Sequence, residues 1–301
     1  MKTIGFLACE TTLPGAGDSQ TERRGDAFEH DLMIAALDPA FKRHGLELRV
    51  IGWEAPIANF ADIDCVLLGT AWDYQDKATE FIAKIEMFEA AGIRVYNACE
   101  VARWNINKTY LRELSERGAK TIPTLWRETV TSKGALEAME VFGTDRVVVK
   151  RQVGAGAMGQ ELIRRNALPD PKWSFGHAAM LQPFLPAIVE EGELSFIFID
   201  GALSHALRKR PAQGDYRIQS LYGGNEMAHK PTEEETTAAQ AIVEALPFDT
   251  PLYVRIDMLR GEDGALMVME AELIEPYLYP EQGPQLGEKL AEAIVKRLQI
   301  S

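Results

Sequence analysis

Cysteine is scarce: the 301-residue chain has three, Cys9, Cys65 and Cys99, far apart and without C-x-x-C spacing. That excludes a disulfide scaffold and a zinc framework, and it fits a reducing compartment. Long apolar runs are missing too. The first, residues 4–9, ends at Glu10 and is shorter than a secretory signal requires, and nothing approaches the ~20 residues of a membrane span. The expectation is a cytoplasmic chain with no membrane partner. Cations are in the minority, 32 Lys and Arg against 45 Asp and Glu, for a formal net charge of −13. A nucleic-acid surface, which needs clustered cations, is therefore not expected, although a local cationic pocket remains compatible with an acidic shell. No Walker P-loop occurs, and no H-R-D or D-F-G follows the glycine-rich segment as it would in a protein kinase. The five histidines (His30, His44, His177, His205 and His229) show no ligand spacing. No Ser/His/Asp or Cys/His arrangement stands out.

What remains is ordinary globular material, 46% hydrophobic and 26% charged. Up to about residue 100, strand-like runs at 3–9, 47–52, 65–69 and 94–97 alternate with helical patterns at 26–44 and 78–91, the latter stopped by Gly92. Such alternation implies a parallel, doubly wound sheet. A helix is expected over 104–118 and a strand over 122–126. A further helix, capped by Thr131 or Ser132, should run to Phe142 and close at Gly143. From Arg146 the pattern turns to strands and hairpins, with tight turns at Asp200-Gly201 and at 261–264. Helices near 232–246 and 282–298 complete an α/β chain. Soft boundaries near 103 and 185 divide it into lobes 1–103, 104–185 and 186–301.

Val147-Val148-Val149-Lys150 leads into Gly154-Ala155-Gly156-Ala157-Met158-Gly159, literally G-x-G-x-x-G. A dinucleotide fingerprint would need a helix next, but residues 160–164 look like a second strand. A glycine loop between two strands is instead a flap whose backbone N–H groups suit phosphates. Lys150 ends the strand beside it, and Lys108 begins a helix elsewhere. Both ammonium groups suit phosphate oxygens, although a lone lysine is ordinarily a solvated surface charge.

The segments 253–258 and 267–272 form the second hairpin. The expected pairing sets Asp257 opposite Glu270, and Arg255 opposite Glu272, all on one face. The other face then carries Val254, Ile256, Met258, Met269, Ala271 and Leu273. Grouped carboxylates of this kind suit Mg²⁺, which shares its shell with water and phosphate. A solvated charged face is the plain alternative, and a bulge would shift the register.

From Trp104 to Pro276 these pieces, in this order, resemble the ATP-grasp superfamily of carboxylate–amine ligases, which includes glutathione synthetase and D-alanine–D-alanine ligase. The resemblance implies the ATP-grasp fold, with an N-terminal domain of parallel sheet ahead of it. It implies ATP and Mg²⁺ (or Mn²⁺) as cofactors, with Lys108, Lys150 and the lid glycines Gly154, Gly156 and Gly159 at the phosphates. It assigns Gln182-Pro183-Phe184-Leu185 to the adenine, Glu193 to the ribose, and Asp257, Glu270 and Glu272 to the metal. The third metal position is more often Asn in these ligases; here it is Glu272. The run Lys209-Arg210-Pro211, with 214–217 and Gly223-Gly224, looks like the second loop of glutathione synthetase, where the matching arginine would bind phosphate and the activated carboxylate; Arg217 and, from the acidic hairpin, Arg255 are the catalytic candidates. A homodimer is a further implication of the resemblance. Trp72-Asp73-Tyr74 and the segment 101–108 are similar to a narrower branch that includes the O-ureido-D-serine cyclo-ligase.

The chemistry implied is phosphoryl transfer to a substrate carboxylate, then attack by an amine nitrogen, with no nucleophilic side chain. Three functions are carried forward: ligation of two small molecules, cyclisation of one, and non-catalytic ATP binding. The loops at 10–24 and 70–74 follow expected strands, where such sheets bind ligands, and are substrate candidates.

Overall fold

The run Lys2–Ala8 is apolar on both faces, and every residue from Thr3 onward is buried. A strand of this kind belongs inside a sheet covered on both sides. It lies in a parallel sheet of Lys2–Ala8, Leu46–Gly52, Cys65–Thr70 and Arg94–Tyr96, with the order second, first, third, fourth. Helix Ala27–Arg43 buries His30, Met33, Leu37, Ala40 and Phe41 at helical spacing, and Ala78–Ala90 buries Phe81, Ile85 and Phe88. The computed structural model describes residues 1–15, 22–154, 156 and 159–299, apart from the Ser220 side chain. Residues 16–21 of the expected substrate loop, and Ala155, Ala157 and Met158 of the glycine loop, lie outside the described residues.

The expected helix over 104–118 is in fact two, Cys99–Asn105 and Tyr110–Glu116. The interruption has a tertiary cause. The Asn105 amide donates to the Ala271 carbonyl at 2.7 Å and accepts the Leu273 N–H at 2.9 Å. The Tyr110 hydroxyl accepts the Ala271 N–H at 2.9 Å. The chain between the helices is thus pinned to the acidic hairpin, and Lys108 lies in that break rather than at the start of one long helix. The next helix follows its sequence signals: the Thr131 side chain accepts from Gly134 N–H, Ser132–Phe142 is helical, and Gly143 adopts φ +66.

Two antiparallel sheets follow. The first has the order Leu125–Arg127, Ala179–Pro183, Arg146–Arg151, Glu161–Arg164, so the glycine loop does join two paired strands. The second runs Asn225–His229, Ala202–Arg210, Glu193–Ile199, Tyr253–Arg260, Leu266–Glu272. Helix Glu233–Glu244, with a Thr232–Glu235 capping box, buries Ala239, Ile242 and Val243 in the core that also holds Val254, Ile256 and Met258. The last helix, Leu286–Gln299, crosses to helix Ala27–Arg43 so closely that a Cβ on Gly287 would lie 2.4 Å from the Ala36 carbonyl oxygen. Asn97 ties the parallel sheet to the acidic hairpin, donating at 2.8 Å to the carbonyls of Tyr253 and Leu273 and accepting the Leu252 N–H at 2.7 Å.

The acidic hairpin has the expected pairs, Asp257 with Glu270 and Arg255 with Glu272, but not for the expected reason. A four-residue loop at 261–264 would set Asp257 opposite Val268; pairing instead starts at Arg260–Leu266, and a bulge at Met269 carries the register on to Glu270. The bulge also moves Met269, which joins the cleft-side cluster of Phe184, Leu185, Leu259 and Met267 instead of the opposite apolar face.

Candidate active site

The cleft is built by strand alternation. On Arg146–Arg151, Val147 and Val149 enter the core under helix Ser132–Phe142, which turns Val148 and Lys150 to the cleft. Gln182, opposite Val148, continues the same wall into Pro183, Phe184 and Leu185. Facing them are Glu193, Lys209, Arg255, Asp257, Glu270 and Glu272 of the five-stranded sheet. Lys108, Gly154, Gly156 and Arg217 complete the set, so every sequence-derived site residue lines the cleft except Gly159.

The buried charges pair in a definite pattern. Asp257 is 2% exposed and accepts from Ser195 Oγ at 2.5 Å, from Arg255 Nη2 at 3.0 Å and from Lys209 Nζ at 3.5 Å. Burial opposes its ionisation, but Arg255 and Lys209 outweigh burial and hold it at about 2. Arg255 also reaches Glu272, which burial lifts to about 7 against that pull. Lys209 Nζ lies 2.5 Å from Glu193 Oε1. Glu193 is fully buried; burial pushes its carboxyl up to about 7, and its Oε2 has no hydrogen-bond partner among the described residues. Lys108 holds Glu270 at 2.7 Å and the Gly154 carbonyl at 2.6 Å, fastening the base of the glycine loop to the acidic hairpin.

Lys150 differs from the other cations. No hydrogen bond or ion pair holds its ammonium among the described residues, and burial, against the pull of Glu270 and Glu193, shifts its pKa downward. Such a group fits an anion that arrives with a ligand. Arg217 is held elsewhere: it forks onto Asp215, with Nη2 to Oδ2 at 2.7 Å, and lies over the Tyr222 ring at 3.7 Å. It lines the cleft without touching the buried cluster.

Several wall residues are not apparent from motifs. Glu275 is 6% exposed, and burial, aided by Glu272 and Glu270, pushes its carboxyl well above the usual range. Tyr277 and Tyr279 follow it, and Tyr279 takes the left-handed φ of 50, uncommon for a large side chain. Its ring lies 5.4 Å from Lys209 Nζ and 5.5 Å from the Arg255 guanidinium carbon. From the parallel-sheet lobe come Arg24, Asp26, Glu29, Trp72 and Gln75. Arg24 and Trp72 belong to the loops expected to meet substrate. Arg24 lies 5.1 Å over the Trp72 ring, and the Trp72 indole donates to the Glu275 carbonyl at 2.9 Å. Tyr74 packs on Phe81 in the core instead, with ring centroids 5.1 Å apart.

Among the described residues no three His, Cys, Asp or Glu side chains are grouped as a metal site. Asp257, Glu270 and Glu272 each face Lys108 or Arg255 here. The donors are nonetheless all oxygen, and with Glu193 and Glu275 the carboxylates outnumber the facing cations Lys108, Lys150, Lys209 and Arg255. That excess fits a hard divalent cation. The orphaned Glu193 Oε2 and the unpaired Lys150 fit a ribose hydroxyl and a phosphate.

Comparison with known proteins agrees with this geometry. Residues 170–269 match the family described as prokaryotic glutathione synthetase, ATP-grasp domain, and residues 4–97 match the D-cycloserine synthetase DcsG N-terminal domain. The chain is 28% identical over 290 residues to the cycloserine biosynthesis protein DcsG of Streptomyces lavendulae, covering 89% of this chain and 94% of that protein. It is 26% identical over 224 residues to the glutathione synthetase of Parasynechococcus marenigrum (strain WH8102), covering 71% and 67%. The fold is similar to the crystal structure of D-cycloserine synthetase DcsG, with a TM-score of 0.80, 22% identity and coverage of 98% and 99%. It is also similar to D-alanine–D-alanine ligase from Bacillus anthracis complexed with ATP, with a TM-score of 0.67, 19% identity and coverage of 99% and 98%.

The chain carries an ATP-grasp domain of the glutathione synthetase type, the domain of a class of ligases that use ATP and Mg²⁺ to form a C–N bond. Within that class it joins a glutathione-synthetase-type ATP-grasp domain to an N-terminal domain of the DcsG type, and both sequence resemblances are thereby borne out. Among the described residues no helix is long and apolar enough to cross a membrane.

Proposed function

We propose that this chain activates the carboxylate of a small amino acid as an acyl phosphate and closes that molecule on itself, as an O-ureido-D-serine-type cyclo-ligase. The observation that carries the cyclising reading is the likeness to DcsG through both parts of the chain, together with the Trp72–Glu275 contact between them. Lys150 and Lys108 would hold the ATP phosphates with the backbone of Gly154, Gly156 and Gly159, and Gln182 to Leu185 the adenine. Glu193 would take a ribose hydroxyl on its free oxygen.

Asp257, Glu270 and Glu272 would hold Mg²⁺, which when bound neutralises phosphate charge. Arg255 keeps Asp257 ionised and holds both Asp257 and Glu272 at the cleft. Arg217, released from Asp215, would meet the acyl phosphate, and the glycine loop would exclude water from it. A nitrogen of the substrate then attacks the activated carbon and phosphate leaves. No step needs a nucleophile from the protein.

The reading extends to the lobes 1–103, 104–185 and 186–301, to a homodimer, and to the cytoplasm, the last supported by three free, buried cysteines. Light scattering tests the dimer. A second reading, ligation of two molecules, is favoured by the glutathione synthetase match over 170–269. Mg²⁺-dependent ADP release from D- and L-amino acids offered singly and in pairs decides between them. Turnover that needs two partners favours the second reading, and ATP binding without turnover would leave only a nucleotide-binding protein.

A further inference from the structure

Glu275 lies where the parallel-sheet lobe meets the acidic hairpin. Its side chain is buried and lines the cleft. Its backbone carbonyl is fixed by the Trp72 indole at 2.9 Å, so the residue is held from the lobe that supplies the substrate wall. Among the described residues no hydrogen bond or ion pair reaches its carboxyl. The nearby cations are already engaged: Lys108 with Glu270 at 2.7 Å, Arg255 with Asp257 at 3.0 Å and with Glu272, and Arg24 with Asp26. Lys209 is taken by Glu193 and Asp257, at 2.5 and 3.5 Å. Lys150 is drawn chiefly to Glu270 and Glu193. A buried carboxyl without a partner keeps its proton, and a cation arriving with a ligand is what would pair with its charged form.

We propose that Glu275 receives the primary ammonium group of the substrate, which makes the preferred substrate class a small zwitterionic amino acid rather than a simple carboxylic acid. This rests on the ligase reading above and assigns its substrate end. With the ammonium held on the Trp72 side, the carboxylate of the same small molecule lies toward Lys150 and Arg255, where activation takes place. Glu275 thus acts by binding and orientation, and an acid lacking the amino group leaves it unpaired.

The test compares wild type and Glu275→Gln, both saturated with a nonhydrolysable ATP analogue and Mg²⁺. Each is titrated with O-ureido-D-serine, D-serine and their desamino counterparts, and KM values for amino acid, ATP and Mg²⁺ are measured in parallel. Losing one charge-assisted contact should weaken amino-acid binding roughly 10- to 100-fold in the variant and abolish its preference over the desamino acid, with the ATP and Mg²⁺ values unchanged. An equal rise in the ATP or Mg²⁺ requirement would assign Glu275 to the metal and overturn the inference. Failure of wild type to prefer, or to bind, any of the amino acids would overturn it too, and that comparison decides the matter even if the variant does not fold. Binding that depends on Glu275 without ADP release would sink the ligase reading and keep this one. ADP release with unchanged amino-acid KM in the variant would do the reverse.

Discussion

Replacing Lys150 by Met separates a binding cation from a structural one. Its ammonium has no hydrogen bond or ion pair among the described residues, and desolvation makes the folded state hold the proton less firmly than the unfolded chain does. A folded pKa below the unfolded value means stability rises as pH climbs through the folded pKa toward the unfolded value, and that the charge is a burden at neutral pH. Lys150→Met removes the burden while keeping an unbranched aliphatic side chain opposite Met180 in the strand register. The apo protein should therefore melt at the same temperature or higher. ATP binding should suffer, because a buried charge-assisted contact to phosphate is lost. At about 2–4 kcal/mol, and 1.4 kcal/mol per tenfold, that is roughly 30- to 700-fold in Kd. Calorimetric titration with ATP and with its nonhydrolysable analogue measures the second effect, and thermal melts the first. An ATP affinity within about threefold of wild type, joined to a Tm loss of several degrees, would refute the reasoning: Lys150 would then be part of the scaffold.

Other outcomes follow from the same contacts. Arg255→Met strands Asp257 and Glu272 without their cation and should cost about 3–5 kcal/mol, read by urea unfolding. Asn105→Ala removes two buried hydrogen bonds to the acidic hairpin; a loss of about 2–4 kcal/mol and a lower kcat are expected, with KM for ATP less affected. His205 is pushed down to about 4 by burial, so between pH 6.5 and 4 the unfolded chain binds a proton that the folded one does not, and stability falls across that window by about 3 kcal/mol. His205→Gln should flatten that part of a Tm-against-pH curve. Thr232→Ala breaks the capping box of helix Glu233–Glu244 at about 1 kcal/mol.

Local chemistry made much of this legible from residues alone. The Thr131 cap, the Gly143 terminus, the Asp200-Gly201 turn and the strand on either side of the glycine loop all rest on neighbours a few residues apart. The pairing of Asp257 with Glu270 was also legible, although its route through a longer connection and a bulge at Met269 was not, because nothing in the local pattern marks a bulge. The helix break around Lys108 depends on Asn105 reaching Ala271 and Leu273, across more than 160 residues. Glu275, Tyr277 and Tyr279 lie outside any helix or strand, and tertiary contacts with Trp72, Lys209 and Arg255 reveal which wall they form. Arg217 shows the opposite limit: it lines the cleft, while its partner here is Asp215.

The most direct test of the account is to supply O-ureido-D-serine alone, with ATP and Mg²⁺, and to follow ADP release together with product mass. The expected result is one ADP per product, with a product lighter than the substrate by one water and no second amine required. An amide formed only when two partners are present, or no ADP release from any amino acid while ATP still binds, would contradict it.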